Sequence, residues 1–330
     1  MPPGIPVIVV AGPTASGKSH LGLRLAEALD GVVINADSVQ VYRDLSVLSA
    51  RPDAATCAHL PHRLYGFAAG DQPISAATWL ALAQHEIKAA TAAGRVPIIV
   101  GGSGLYLEAL LSGLSDIPDI PAAVRRDACR RLDTMGREAF CAWLAGVDPA
   151  SARRLPPGDS HRLLRAAEVW LATGRPLSDW QAAGRRVPVA GGRLLAPLAL
   201  LLSPDRTALY DAIERRFDAM IAAGACDEVR RLVGLGLDRR LPVMRALGVP
   251  QLMAHDQGEL TLAEAVDEAK TRSRRYAKRQ MTWFRNRYPV AEEMVFTQLS
   301  ESYFDIIVSK VRRWLLTHHS PETSFSLPSG

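Results

Sequence analysis

Short apolar runs alternate with amphipathic stretches through the first third of the chain. Every residue is apolar in Pro6–Ala11, Val32–Ile34 and Pro97–Val100, a pattern typical of parallel strands that are buried on both faces. Leu21–Leu29 and the alanine-rich Ser75–Ala93 carry helical patterns between these runs. The alternation predicts an α/β fold in which a parallel sheet is flanked by helices.

The pattern becomes purely helical over residues 119–192. Apolar residues in Leu163–Leu171 recur at helical spacing and stop before Gly174, and Asp148-Pro149 is typical of a helix N-terminus. An apolar strand pattern then returns at Leu194–Leu202. These changes predict an all-helical insertion domain within the α/β core.

The domain boundaries follow from these changes of pattern. We predict a core made of residues 1–118 and 193–316 and an insertion domain at residues 119–192. The polar residues 317–330 are predicted to be a disordered tail.

Composition narrows the class of protein. The chain has 330 residues, of which 48% are hydrophobic and 22% charged, and this balance excludes wholesale disorder. No apolar run reaches the length of a membrane span, and no basic segment precedes the first apolar run, so we expect no membrane partner and no signal peptide. The four cysteines are widely spaced, which excludes a disulfide scaffold and suggests a cytoplasmic protein.

The positive charge of the chain is concentrated in one segment. The net charge is +5, and between Lys270 and Arg287 there are eight basic residues and no acidic one. Lys270, Arg274 and Lys278 share one face of a predicted helix, where like charges repel each other. A nucleic-acid phosphate backbone is one counterpart for such a face. A solvated basic face remains the alternative.

A phosphate-binding motif follows the first predicted strand. The segment Gly12-Pro13-Thr14-Ala15-Ser16-Gly17-Lys18-Ser19 fits the pattern G-x-x-x-x-G-K-[ST], with a strand before it and a helix after it. Its glycines let backbone N–H groups converge on phosphate oxygens at a helix N-terminus. Lys18 is expected to reach the terminal phosphates and Ser19 to hold Mg²⁺. The motif predicts a P-loop NTPase-like core and a magnesium-dependent diphosphate site.

The strands that follow lack the carboxylate that phosphoryl-transfer enzymes usually place at a strand end. Pro97–Val100 is followed by glycine and Leu194–Leu202 by Ser203, so neither strand ends in a carboxylate. This absence argues against phosphoryl transfer and therefore against a kinase. Asp37 instead follows the second strand, and Ser103 follows the third. If the strand order allows it, both lie beside the phosphate loop, where Asp37 can act as a general base. The spacing equally allows Asp37 to cap a helix while Tyr42 packs in the core.

Together these segments resemble the tRNA dimethylallyltransferases, also called tRNA isopentenyltransferases. The resemblance runs from the phosphate loop to about Arg287. Its pieces are GPTASGKS (Gly12–Ser19), DSVQVYR (Asp37–Arg43), ARP (Ala50–Pro52), PHRL (Pro61–Leu64), RVPIIVGGSGLY (Arg95–Tyr106), DP…HRLLRAAE (Asp148–Glu168), IERRFDAMIAAG (Ile213–Gly224) and YAKRQMTWFR (Tyr276–Arg285).

The resemblance implies a reaction and roles for individual residues. A dimethylallyl group would pass from dimethylallyl diphosphate to N6 of the adenine immediately 3′ of a tRNA anticodon, with diphosphate as the leaving group. By this likeness Asp37 matches the general base, and Ser103 stands where bacterial members usually have threonine. Lys18, Arg216 and Mg²⁺ on Ser19 would stabilise the departing diphosphate.

The resemblance also implies contacts with the tRNA anticodon stem-loop, and we expect the protein to act as a monomer. The implied and predicted RNA contacts are Asp37, Ser38, Val39, Gln40, His161, Arg162, Leu163, Leu164, Arg165, Arg245, Arg274 and Lys278. The chain departs from the family at Gly248-Val249-Pro250, where many members have Gly-Tyr-Arg.

Three other functions remain open on the sequence. A small-molecule P-loop kinase would use the same phosphate loop. A nucleotide-gated RNA-binding protein would need no chemistry at Asp37. Prenylation of free adenine nucleotides would leave the insertion domain and the basic helix without a role.

Overall fold

The computed structural model describes residues 4–288, 293–297 and 301–318. The chain forms two compact units: the first contains the residues up to Leu111 and from Pro188 onward, and the second is Ser112–Val187. The sequence pattern predicts the insertion domain at residues 119–192. Within the predicted tail, residues 317 and 318 belong to the last helix, and the rest lies outside the described residues.

The strands and helices have the following bounds. The strands are β1 Ile5–Ala11, β2 Gly31–Asn35, β3 His62–Arg63, β4 Val96–Gly101, β5 Val189–Ala190, β6 Arg193–Leu202 and β7 Glu293–Phe296. The helices up to the end of the second unit are α1 Lys18–Leu29, α2 Ala54–His59, α3 Ala76–Ala92, α4 Gly104–Ser112, α5 Ala122–Val147, α6 Pro149–Arg154, α7 Ser160–Thr173 and α8 Leu177–Ala182. The helices that follow are α9 Arg206–Ala222, α10 Ala225–Gly234, α11 Val249–Asp256, α12 Leu262–Arg287 and α13 Glu301–His318, and a 3₁₀ turn spans Val243–Arg245.

The sheet of the first unit is parallel and has β1 near its centre. Its strands lie in the order β3-β2-β4-β1-β6, with β7 also paired to β6 and the short β5 antiparallel to β6. Every residue of β1, β2 and β4 is buried, as the unbroken apolar runs predicted. The predicted parallel α/β fold is therefore confirmed. Because β4 pairs in parallel with both β2 and β1, the segments that follow these three strands lie side by side at one edge of the sheet.

The core of the first unit packs helices against the sheet. Buried aliphatic side chains of β1, β4, β6 and α1 form a continuous cluster that also includes Ile307, Trp314 and Leu315 of α13. A smaller cluster joins α9 to α12 through Leu209, Ile213 and Ala277, with Ala15 of the phosphate loop packed against it. The second cluster thus ties the phosphate loop to the two long helices that lie near it.

The second unit is helical and has its own core. Phe140 and Leu144 of α5 pack with Leu163 and Val169 of α7. The predicted caps are confirmed, since Asp148 accepts the Ser151 N–H at 3.0 Å with proline at the start of α6, and α7 ends at Gly174 with φ 66°. Among the described residues, no helix has the length and apolar character needed to cross a membrane.

Candidate active site

The phosphate loop joins β1 to α1 in a tight turn. The Ser16 N–H donates to the Pro13 carbonyl at 3.3 Å, and Gly17 has φ 88° immediately before the helix begins at Lys18. A Cβ atom at Gly12 would lie 2.7 Å from Ser16 Oγ and 2.8 Å from the Leu202 carbonyl, so a side chain at this position collides with the loop. The close approach of backbone segments therefore requires glycine here.

Two polar groups in this loop are buried. Ser16 Oγ finds no hydrogen-bond partner among the described residues. Lys18 is only 9% exposed, and its Nζ donates to the Pro13 carbonyl at 3.2 Å. Burial lowers the pKa of Lys18 from 10.5 to about 8, while nearby Asp37 raises it and Arg216 lowers it. An anion in the loop would accept hydrogen bonds from both side chains and neutralise the lysine charge.

Asp37 lies in a turn that directly follows β2 and is held by Asn35. The Asn35 side chain accepts the Asp37 N–H at 2.8 Å and donates to the Asp37 and Leu64 carbonyls at 2.9 and 3.0 Å. Asp37 Oδ1 accepts the Val39 N–H at 2.9 Å, which closes a turn and not a helix. The alternative reading of Asp37 as a helix cap is therefore wrong, whereas Tyr42 is buried as that reading proposed.

Ser103 reaches the Asp37 segment across the sheet edge. Its Oγ accepts the Ser38 N–H at 2.9 Å and lies 3.1 Å from Ser38 Oγ. The backbone supports this contact, since the Ser103 N–H donates to the Ala36 carbonyl at 3.2 Å. The predicted closeness of the hydroxyl and the carboxylate segment is thus present in the structure, with Ser103 bonded to Ser38, the residue after Asp37.

Arg216 of α9 brings a second cation to this edge. It is partly buried, and burial lowers the pKa of its guanidinium whereas Asp37 raises it. Lys18, Asp37 and Arg216 therefore lie within electrostatic range of one another. Two cations and one carboxylate leave a local positive charge that suits a diphosphate beside a base.

The charge of Asp37 acts on two tyrosines of the first unit. Burial raises the pKa of Tyr65 and of Tyr276, and the Asp37 charge raises each further. Tyr106 stacks on Trp79 with ring centroids 4.5 Å apart, and Trp79 Nε1 donates to the Asn35 carbonyl at 2.8 Å. The strand end that leads into Asp37 is thus held by a stacked aromatic pair.

The loop that continues from Asp37 is anchored by two buried side chains. Gln40 donates to the Ser49 carbonyl at 2.9 Å. The Glu228 carboxylate of α10 accepts the backbone N–H groups of Ser46, Val47 and Leu48 at 2.6 to 2.9 Å. The Gln40 amide is therefore part of the loop's own support, and a contact of Gln40 with RNA stays a prediction.

The other residues predicted to contact RNA occupy different environments. On α7, His161 and Arg162 are exposed and Arg165 lies 3.5 Å from Glu168, whereas Leu163 is 1% exposed in the core of the second unit. Their contacts with RNA stay predictions.

Arg245 is exposed in the 3₁₀ turn, close in sequence to the departure from the family pattern. Val249 is buried and begins α11, and Gly248 before it has φ 91°. The structure thus uses Val249 for packing. An RNA contact at Arg245 also stays a prediction.

The basic face of α12 has acidic counterparts inside the first unit. Lys270 pairs with Asp218 at 2.6 Å and Arg274 pairs with Glu214, both carboxylates belonging to α9. The tertiary structure thus supplies carboxylates that the local sequence lacks, and the contact of Arg274 with RNA stays a prediction. Lys278 is exposed, and its contact with RNA stays a prediction.

Two further side chains build the site and were not predicted from the sequence. Asn35 ends β2 two residues before Asp37, and a polar residue at the end of an otherwise apolar strand was the available signal. Gln280 of α12 accepts the Thr14 N–H at 2.9 Å. It lies inside the motif YAKRQMTWFR, three residues after Ala277 on the apolar face, and this spacing could have predicted its burial.

The parallel sheet, the phosphate loop and the carboxylate at adjoining strand ends define a P-loop α/β protein whose ligand site lies at the carboxyl edge of the sheet. Comparison with known sequences assigns it more narrowly. The pattern of the IPP transferase family matches residues 40–287, and the chain belongs to this family.

Individual relatives cover most of the chain. It is 53% identical to the tRNA dimethylallyltransferase of Rhodospirillum centenum over 291 residues, which are 88% of this chain and 92% of that protein. Among solved structures, the tRNA isopentenylpyrophosphate transferase of Bacillus halodurans is 31% identical, with a TM-score of 0.65 and coverage of 96% of this chain and all of that one. A eukaryotic dimethylallyltransferase acting on tRNA has a TM-score of 0.79 at 23% identity, covers 96% of this chain and 81% of its own, and shows the fold alone.

Proposed function

We propose that the protein is a tRNA dimethylallyltransferase. It transfers the dimethylallyl group of dimethylallyl diphosphate to N6 of the adenosine immediately 3′ of a tRNA anticodon. The observation that carries the proposal is the position of Asp37, which lies within electrostatic range of Lys18 and Arg216 beside the phosphate loop. The names of the relatives support the same activity.

The chemistry needs the attacking nitrogen and the leaving group on opposite sides of one carbon atom, and a base beside that nitrogen. The lone pair of adenine N6 attacks C1 of the dimethylallyl group, and the bond from C1 to the diphosphate oxygen breaks with its electrons on the diphosphate. The N6 proton passes to the Asp37 carboxylate. Lys18 and Arg216 stabilise the negative charge that grows on the diphosphate. Because diphosphate is the leaving group, the phosphate loop takes part without any phosphoryl transfer.

Ser103 and Asn35 position the base. Asn35 holds both the N–H and the carbonyl of Asp37, and Ser103 holds the N–H of the next residue. These bonds leave little freedom to the turn that carries the carboxylate. A base held in place before the substrate binds lowers the cost of reaching the reactive geometry.

Magnesium fits the donors that the loop offers. The exposed Ser19 follows Lys18 in the first turn of α1, and the buried hydroxyl of Ser16 faces the same loop. Mg²⁺ at phosphate sites typically takes one or two protein ligands, with waters and phosphate oxygens for the rest. Ser19 would hold the ion, which supplies additional positive charge against the diphosphate. No cluster of three acidic, histidine or cysteine residues occurs in the described ranges, and such a site does not need one.

We also propose that the protein acts as a cytoplasmic monomer on the tRNA anticodon stem-loop. The four cysteines are free, as is usual for proteins of reducing compartments. The target adenine must leave its stack to bring N6 to a partly buried carboxylate. His161, Arg162 and Arg165 on α7 are the side chains that we expect to hold the stem-loop.

The test is a prenylation assay with an isosteric change of the base. Purified protein is incubated with Mg²⁺, dimethylallyl diphosphate and unmodified tRNA, and N6-(dimethylallyl)adenosine is measured by mass spectrometry of the digested RNA. Asp37→Asn keeps an oxygen for the Val39 N–H but removes the base, so we expect about 10²- to 10⁴-fold slower transfer with diphosphate binding retained.

Asp53→Asn is the matched control. Asp53 also accepts a backbone N–H, from Thr56 at 2.8 Å, but it lies on the surface at the start of α2. Its variant should retain wild-type activity. An Asp37→Asn enzyme that remains fully active contradicts the proposal. Transfer of label from γ-labelled ATP to a small molecule, without prenylation of tRNA, would support the kinase alternative instead.

A further inference from the structure

Gln280 is a buried glutamine of α12 whose amide links two loops at the carboxyl edge of the sheet. It is 6% exposed. Its Oε1 accepts the Thr14 N–H at 2.9 Å, and its Nε2 donates to the Gly102 carbonyl at 2.8 Å. Thr14 belongs to the phosphate loop after β1, and Gly102 directly precedes Ser103 after β4. One side chain from a remote part of the sequence therefore bridges the diphosphate loop and the Ser103 loop.

The two loops approach each other closely around this amide. A Cβ atom at Gly102 would lie 2.6 Å from Gln280 Nε2 and 2.7 Å from the Gly12 carbonyl oxygen. There is consequently no space for a side chain between the loops, and the amide group occupies the remaining gap. The amide is therefore packed against both loops.

Packing alone does not account for a glutamine at this position. The other buried side chains of α12 are Ala265, Ala269, Ser273, Ala277 and Phe284. Ser273 bonds only within its own helix, to the Ala269 carbonyl at 2.9 Å. Burying an amide is unfavourable unless it forms hydrogen bonds, and an apolar side chain would avoid that cost. The two bonds to the loops are what the glutamine adds.

The bond to Thr14 restricts the phosphate loop itself. The Thr14 N–H donates to the Gln280 side chain, so the Gln280 amide packs directly against the phosphate loop. The bond to Gly102 fixes the backbone that leads into Ser103, whose hydroxyl holds the Ser38 N–H. Movement of either loop would break one of the two bonds.

We propose that Gln280 is a positioning residue that holds the phosphate loop and the Ser103 loop at a fixed separation. The inference rests on the proposed function, because this separation sets the distance between the bound diphosphate and the Asp37 segment. Gln280 acts through its bonds to Thr14 and Gly102. Its loss should therefore affect the diphosphate substrate and the rate of transfer more than it affects tRNA binding.

Two variants test the proposal. Gln280→Met has a similar length and removes both hydrogen bonds. Gln280→Glu keeps an acceptor for the Thr14 N–H, lacks the donor for the Gly102 carbonyl and adds negative charge near the diphosphate. Gln251→Met is the control, since Gln251 of α11 is also buried, at 3% exposure, and its amide donates to Glu268 of α12 instead of to either loop.

The measurements separate positioning from general destabilisation. Calorimetric titration with inorganic diphosphate and Mg²⁺ gives the Kd, steady-state assays give kcat and the KM of each substrate, and thermal unfolding gives the Tm. For Gln280→Met we expect the diphosphate Kd and the KM of dimethylallyl diphosphate to rise about fivefold, because about half of what the two lost hydrogen bonds contribute is then felt at the diphosphate. The kcat should fall as well, and the KM for tRNA should stay within about twofold. Gln280→Glu should raise the diphosphate Kd further.

Unchanged diphosphate affinity in folded Gln280→Met or Gln280→Glu would overturn the inference. The inference would also be overturned if Gln280→Met weakened the binding of both substrates equally, and if that weakening followed the drop in Tm in the same proportion as in Gln251→Met. Diphosphate titration needs no turnover, so its result stands apart from the activity itself. A wild-type protein that binds diphosphate but fails to prenylate tRNA would instead contradict the proposed function.

Discussion

The charge of Lys18 should make diphosphate affinity depend on pH. Burial lowers the pKa of this lysine to about 8 in the free protein. A bound diphosphate places negative charge against the ammonium group, so the pKa in the complex should return at least to its ordinary 10.5. Binding above pH 8 therefore requires the uptake of a proton.

The size of the effect follows from these two pKa values. At pH 7 the free lysine is mostly charged, so binding has almost no protonation cost. At pH 9 it is mostly neutral, while the bound lysine is still charged. The apparent diphosphate affinity should therefore be about tenfold weaker at pH 9 than at pH 7, or about 1.4 kcal/mol. The sign follows from the lowered pKa: the affinity is complete below pH 8 and declines as the pH rises through it.

Calorimetric titration with inorganic diphosphate and Mg²⁺ at pH 7, 8 and 9 measures this dependence. Repeating it in buffers of different ionisation enthalpy counts the protons taken up. Lys18→Met has no titrating group at this position, so its pH dependence reports the ionisation of the ligand and of the other groups. Identical pH dependence in wild type and Lys18→Met would refute the reasoning.

Two further predictions concern the segment around Asp37. Asn35→Ala removes the three hydrogen bonds that hold Asp37 and Leu64, so kcat should fall about 10- to 100-fold in steady-state assays. The KM for dimethylallyl diphosphate should change little, because the phosphate loop follows a different strand. A normal kcat would contradict this role of Asn35. Glu228→Gln places an NH₂ group against the Leu48 N–H, so chemical denaturation should show about 1–3 kcal/mol lower stability. A change below about 0.5 kcal/mol would mean that the loop rearranges without cost.

Local pattern was sufficient for the elements and for the main motif. Strands that are buried on both faces must be apolar at every position, so β1, β2 and β4 were visible as unbroken runs. The phosphate loop needs glycine at Gly12 and Gly17 for steric reasons that act within a few residues, and its spacing is therefore readable. The insertion was visible because helical periodicity replaces the strand pattern.

The counterparts of charged residues could not be predicted from neighbouring sequence. The segment Lys270–Arg287 contains no acidic residue, yet Lys270 and Arg274 pair with carboxylates of α9 about fifty to sixty positions earlier. An electrostatic partner needs only to be near in space, and local charge counting does not detect partners from another helix. The RNA contact expected at Arg274 rests on such a local count and stays a prediction.

The sequence by itself determined which chemical groups the protein carries and which strand each one follows: a phosphate loop after β1, a carboxylate after β2 and a hydroxyl after β4. Only the tertiary structure decided that these groups meet, because β4 lies between β2 and β1 in the sheet. It also brought the Asn35 side chain into hydrogen bonding with Asp37, and the Gln280 amide between the phosphate loop and the Ser103 loop. The physical reason is that strand order and side-chain bridges depend on contacts between distant parts of the chain, whereas strand, helix and turn patterns depend on near neighbours.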